Sequence, residues 1–243
     1  QHHLLKPPYI LTAQHQMLAR EKDQIKTLIS DISHQIKTPV AAAHTFAQLL
    51  DDKDLSLKER SEYIAALQTS LEKLTFLTNS LIKMSRLESG IIRLKPEKSS
   101  LNHIVLQGVK SVYAKAKEKN IMITFDCDQD YEALLDFNWT SEAITNILDN
   151  AVKYTPQGGL IRLNITEYPS YLRLDIADNG IGIPEEEQAK IFGRFYRGKR
   201  AAAVDGVGIG LYLTRDIIHK QDGYIKVASS KGGSTFSVFL KRF

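Results

Sequence analysis

The stretch Asn146-Ile147-Leu148-Asp149-Asn150-Ala151-Val152-Lys153-Tyr154 decides how the second half of the chain is read. On a helix, Asn146, Asn150 and Lys153 recur at i, i+4 and i+7 and share one face. Three polar groups on a face otherwise expected to pack suggest a lined pocket. Amide oxygens suit a hard cation such as Mg²⁺, and a nearby lysine suits phosphate oxygens. The same spacing also fits an ordinary solvent-facing polar stripe.

Around this helix the texture is mixed. Helices are expected at 101–119, 140–153 and 209–221, with alternating strands at 121–127, 160–166, 172–177, 224–229 and 235–241. The last two strands read as a hairpin around Gly232 and Gly233. This is an α/β layer fold. Upstream the pattern is purely helical. From Tyr9 to Leu50 there is no glycine and one proline, Pro39, so the stretch reads as one long helix after Pro7 and Pro8. Its heptad of Leu11, Leu18, Ile25 and Ile32 is weak before Ile25, where the companion positions Gln14 and Glu21 are polar. It firms up at Ile25, Leu28, Ile29, Ile32 and Ile36. Polar residues Asp51 to Asp54 end the helix. Ser56 and Glu59 then form a capping box for a second helix striped by Leu67, Leu71, Leu74, Leu77, Leu81, Met84 and Leu87. Two such helices cannot enclose their own apolar faces, and pairing with a second hairpin into a four-helix bundle solves this. A homodimer is therefore expected. Gly90 to Pro96 reads as a hinge, since Gly stops the helix and the Lys95-Pro96 pair disfavours another.

Composition narrows the function classes. With 243 residues, 43% hydrophobic and 25% charged, the chain is long enough for two modest domains. Its net charge of +4 is scattered, with no long block of one sign, which describes a solvated surface and excludes a nucleic-acid footprint. The single Cys127 forbids an internal disulfide and is expected to be a buried thiol in a reducing cytoplasm. No stretch approaches the roughly 20 apolar residues of a membrane span. A start at Gln1 leads us to expect further sequence upstream.

Two further motifs carry chemistry. Asp178-Asn179-Gly180-Ile181-Gly182-Ile183-Pro184 ends an apolar strand. A carboxylate there can accept from an exocyclic amine such as that of adenine, and glycines let backbone approach a ligand; a plain turn is the alternative. Asp205-Gly206-Val207-Gly208-Ile209-Gly210-Leu211 opens a helix, where free N–H groups and the helix dipole favour phosphate. Its G-x-G-x-G spacing, with no strand directly before it, differs from the dinucleotide fingerprint.

The order and spacing of these pieces resemble the N, G1, F and G2 boxes of the ATP-binding domain of bacterial sensor histidine kinases, in the GHKL superfamily. The F-box counterpart is Phe192-Gly193-Arg194-Phe195-Tyr196-Arg197. The resemblance implies ATP and Mg²⁺ as cofactors on a Bergerat-type α/β sandwich. Asn146 and Asn150 would hold Mg²⁺, Lys153 would meet phosphate, Tyr154 would flank the base and Asp178 would read adenine. Gly180, Gly182 and Ile183 would line the base, while Phe195, Tyr196 and Arg197 would border the site. Gly206, Gly208, Gly210 and Leu211 would shape the phosphate end, and residues 184–206, including Ala201 to Ala203, would form a lid.

The resemblance extends to Ser33-His34-Gln35-Ile36-Lys37-Thr38-Pro39, which looks like the H box. Taking Ile25 as zero, His34 falls at about 180° while Leu28, Ile29, Ile32 and Ile36 lie within about 60°. His34 is thus expected to face solvent, as a phospho-acceptor must, with Thr38 one turn on and a local kink at Pro39. The implied organisation is a connecting helix at 1–23, a dimerisation and phosphotransfer hairpin at 24–90, a hinge at 91–100 and the ATP-binding domain at 101–243. The implied reaction moves a phosphoryl group from ATP to His34, then to a response-regulator receiver domain. A parent protein anchored to a membrane upstream, with this portion cytoplasmic, is a family expectation.

Gln35 departs from the pattern. The family usually has an acidic residue after the histidine, and an amide can orient the ring but cannot take its proton. This keeps open a nucleotide-binding scaffold or a phosphatase-biased regulator in which Thr38 orients a water. ATP hydrolases of the gyrase B and mismatch-repair type place a base glutamate where this chain has Asn146, which disfavours hydrolysis.

Overall fold

The computed structural model describes residues 8–201 and 206–242, and the chain divides into two compact units, Gln1–Leu81 and Ile82–Phe243. In the first unit, α1 (Pro8–Leu49) is one continuous helix through Pro39. It begins at a proline, whose fixed φ and missing N–H suit a first helical turn. The second helix, α2 (Leu57–Glu88), runs on into the second unit. It opens on the expected capping box: Glu59 N donates to Ser56 Oγ at 3.2 Å, and Ser56 N donates to Glu59 Oε2 at 3.0 Å. Ile25, Ile29 and Ile36 on α1, with Ile64 and Leu71 on α2, are left exposed in the single chain.

The second unit starts with the tail of α2. Glu88 accepts from Arg194 at 2.7 Å and from the Tyr212 hydroxyl at 2.6 Å, and Gly90 then takes a positive φ of 68° that ends the helix. The stretch read as a hinge holds a short strand, β1 (Glu97–Ser100). It is followed by α3 (Leu101–Glu118), β2 (Met122–Asp126), β3 (Glu132–Leu135), α4 (Phe137–Tyr154), β4 (Leu160–Glu167) and β5 (Tyr171–Asp178). A four-residue helix, α5 (Glu185–Gln188), precedes α6 (Gly210–His219), β6 (Tyr224–Ser230) and β7 (Gly233–Lys241). β1 and β3 pair with each other, while the main sheet runs β2-β4-β5-β7-β6, parallel only between β2 and β4. Alternate residues of β4, β5 and β7, such as Leu163, Leu174 and Val238, point to one face and are buried with Ile144, Ile147 and Leu148 of α4. α3, α4 and α6 are packed side by side on that face. This two-layer sandwich is the expected α/β fold.

One expectation fails here. Cys127 is exposed. It follows the end of β2, an edge strand, and joins the polar turn toward Asp130, so the apolar run before it gives it no cover. No described helix is long and apolar enough to cross a membrane.

Candidate functional site

The site is built around α4. Asp136 caps it by accepting from Trp139 N at 3.1 Å, and burial of Ile144, Ile147, Leu148, Ala151 and Val152 fixes its rotation. The opposite face, with Asn146, Asn150, Lys153 and Tyr154, is left half-buried. Two glycine-rich loops close on that face. Asn146 Nδ2 donates to the Gly210 carbonyl at 3.5 Å. A side chain at Gly206 would meet Lys153 Nζ at 2.7 Å, and one at Gly210 would meet the Asn146 amide at 3.6 Å. On the other side, Ile181 N donates to the Tyr154 carbonyl at 3.3 Å. A Cβ at Gly180 would stand 2.6 Å from that carbonyl and 2.7 Å from Asp178 Oδ1, so only glycine fits.

Asp178 ends β5 and accepts from Gly180 N at 2.8 Å. Burial pushes its carboxyl above the usual carboxylate range, opposed by backbone hydrogen bonds from Gly180 and Ser234. Gly182 holds φ at 67° with the Ser230 carbonyl directly against it. Ile183 N donates to Ser229 Oγ at 2.7 Å, and Gln188 Nε2 donates to the carbonyls of Ile183 and Ser229 at 3.2 Å each. Gln188, Ser229 and Ser234 therefore brace the loop that carries Asp178, a role sequence reading missed because the two serines lie on a hairpin some fifty residues downstream.

The aromatic motif joins the same region. Phe195 has φ of 58°, and a side chain at Gly208, φ 78°, would stand 2.7 Å from the Tyr196 carbonyl. Phe195 and Tyr196 are half-buried, Arg197 is exposed, and Leu211 packs on the core. Burial raises the Tyr154 hydroxyl, countered by the charge of Arg197 and reinforced by Asp149. The buried Glu187 carboxylate accepts from Lys199 N at 3.2 Å and so shapes the stretch after the motif. Ala202, Ala203 and Asp205 lie outside the described residues.

The second unit thus brings Asn146, Asn150, Lys153, Tyr154, Asp178 and the glycines together. His34, Gln35 and Thr38 gather separately on α1. His34 and Thr38 are exposed and Gln35 is half-buried, and Thr38 Oγ1 donates to the His34 carbonyl at 3.3 Å. The donors on α4 fit a magnesium nucleotide. Asn146 and Asn150 offer neutral amide oxygens, and Asp149 on the same helix is engaged by Lys115 at 2.5 Å. The negative charge a divalent cation needs would come from phosphate oxygens.

Comparison with known proteins agrees with this geometry. Residues 136–242 match the family of histidine kinase-, DNA gyrase B- and HSP90-like ATPases, and residues 24–90 match the His Kinase A (phospho-acceptor) domain. Drug sensory protein A of Synechocystis is 32% identical over 86% of this chain and 34% of its own length. The signal transduction histidine-protein kinase/phosphatase MprB of Mycolicibacterium paratuberculosis is 27% identical over 89% of this chain and 42% of its own. The chain thus spans less than half the length of either relative. The crystal structure of histidine kinase ThkA, solved in complex with response regulator protein TrrA, shares the fold with a TM-score of 0.76 at 20% identity, over 96% of this chain and 66% of that one. With a phospho-acceptor domain and a GHKL ATP-binding domain in one polypeptide, the chain belongs to the sensor histidine kinases.

Proposed function

We propose that this chain is the transmitter of a two-component sensor: it moves the γ-phosphoryl group of ATP to His34 and from there to an aspartate of a response-regulator receiver domain. The observation that carries the reading is an exposed histidine in a phospho-acceptor hairpin, covalently joined to a cradle with an amide, Asn146, where water-activating relatives need a base. In that cradle Asn146 and Asn150 would hold Mg²⁺, which would neutralise phosphate charge. Lys153 contacts phosphate oxygens, Tyr154 covers the base, and Asp178 accepts from the adenine amine. Gly180, Gly182 and Ile183 bound the base. Gly206, Gly208, Gly210 and Leu211, with Phe195, Tyr196 and Arg197, shape the phosphate end. His34 attacks through a ring nitrogen in its neutral form. The exposed apolar faces of α1 and α2 are covered in a homodimeric four-helix bundle. The parent is a membrane-anchored sensor with this portion in the cytoplasm.

The test is incubation with γ-labelled ATP and Mg²⁺, followed by acid and by base. Label lost in acid, kept in base and absent from His34→Ala is expected. Label that persists in His34→Ala would sink the assignment. Gln35 favours a second reading within the same family, a transmitter weighted toward dephosphorylating its regulator, with Thr38 orienting the water. Gln35→Glu is then expected to speed labelling of His34, and an unchanged or lower rate would count against it.

A further inference from the structure

Beyond the face that contacts nucleotide, the C-terminal end of α4 poses an accounting question. The last carbonyls of a helix have no partner inside it, and buried ones must find donors elsewhere. Here one side chain supplies most of them. Lys119, half-buried at the end of α3, donates through Nζ to the carbonyls of Val152 at 2.7 Å, Lys153 at 3.0 Å and Thr155 at 2.6 Å. The Tyr154 carbonyl, between them, takes Ile181 N from the loop that carries Asp178. Lys119 is itself held at both ends of its backbone: its N–H donates to the Lys115 carbonyl at 3.3 Å, and its own carbonyl accepts from Gly158 N at 2.8 Å.

We propose that Lys119 is a positioning residue for nucleotide binding. Its ammonium fixes the turn on which Lys153 and Tyr154 stand, and places a positive charge at the negative end of the α4 dipole. An ammonium suits the task because it carries three donors and no acceptor. The inference rests on the reading of α4 as the nucleotide face. It concerns a residue whose ammonium bonds backbone carbonyls and that lies some thirty positions from the motif it serves.

The experiment is a titration of the folded full chain with ATP, read as binding and as the ATP dependence of His34 labelling, for Lys119→Met, Lys119→Gln and Lys119→Arg. Charge-assisted hydrogen bonds to three carbonyls predict about tenfold weaker ATP binding in Lys119→Met. The ATP concentration for half-maximal labelling rises to match, while the rate at saturating ATP stays within about twofold. Lys119→Arg, which keeps charge and several donors, is expected to recover most of the affinity. Should Lys119→Met fail to fold, Lys119→Gln, with two donors and no charge, carries the test with an expected loss of about threefold. A loss of active protein with unchanged ATP affinity in the folded fraction would overturn the proposal and leave Lys119 a structural cap. Asn150→Ala serves as reference. If it binds ATP as the parent does, the reading of α4 fails; if it loses binding while the Lys119 variants keep full affinity, only this inference fails.

Discussion

The two units of this chain solve burial in opposite ways. In the ATP-binding unit, Leu101, Ile144 and Leu174 are completely buried, and a five-stranded sheet with three helices on one face closes the core without help. In the hairpin, Ile29 is 59% exposed and Leu71 51%, although both belong to continuous apolar stripes. Two helices offer each other one seam, whereas a striped helix in a bundle has apolar width for two neighbours. One unit covers its apolar face within its own topology, and the other leaves apolar side chains uncovered in the single chain.

The largest expected effect breaks the hairpin side of this contrast. Ile29→Asp with Ile36→Asp removes four apolar side chains from a symmetric bundle, roughly 6 kcal/mol of association at about 1.5 kcal/mol each. Sedimentation equilibrium should show monomer for the double variant and dimer for the parent, while ATP binding by the second unit is kept. A dimer of unchanged affinity would place the interface elsewhere.

Next in size is a change confined to the other unit. A Cβ at Gly182 would collide with the Ser230 carbonyl, and φ of 67° strains any L side chain. Gly182→Ala is expected to cost roughly 2–4 kcal/mol of that unit's stability, lowering its melting transition by about 10 °C. Nucleotide binding should fall with it, and the hairpin transition, followed separately by calorimetry, should stay in place. A variant that melts and binds ATP like the parent would show that the β6–β7 turn does not brace the Asp178 loop.

The contrast also separates what sequence could and could not reveal. Helix stripes, the Ser56 to Glu59 capping box and the glycine motifs are local patterns, so the two long helices, the layer fold and the residues on α4 were legible. The pair β1 and β3 was not. Glu97-Lys98-Ser99-Ser100 is polar and lacks alternation, and its strand character comes from pairing with residues 132–135. Cys127 misled because an apolar run at a sheet edge has one face in water, as Met122, 64% exposed, also shows. The braces of the site, Lys119, Gln188, Ser229 and Ser234, act through contacts between distant segments and carry no short-range signature.

A third prediction tests whether the adenine end is separable from stability. Burial raises the Asp178 carboxyl, so the folded state holds that proton more tightly than the unfolded one. Stability contributed by this group therefore rises as pH falls through the window between its folded and ordinary pKa, and ionised Asp178 carries a cost above it. Asp178→Asn keeps an oxygen acceptor for the Gly180 and Ser234 backbone donors and removes the cost. At neutral pH the nucleotide-free unit should melt at the same temperature or higher, while ATP binding weakens about ten- to a hundredfold through loss of a charge-assisted hydrogen bond. Lower stability together with retained binding would reverse the assignment of this carboxylate from ligand reader to structural group.

The smallest expected effect sharpens the contrast at its most local point. Ser56 and Glu59 satisfy each other's backbone N–H groups at the start of α2, and both are exposed, so the motif contributes through helix capping alone. Ser56→Ala should cost about 1 kcal/mol, all of it in the hairpin. Burial raises no complication, because the hydroxyl faces water before and after folding. In a dimeric bundle each protomer loses this cap, so the hairpin transition should drop while remaining concentration dependent, with the ATP-binding transition fixed. A shift shared by both transitions would mean that the units melt as one cooperative body, and the division between a self-sufficient unit and a partner-dependent one would no longer describe their stability.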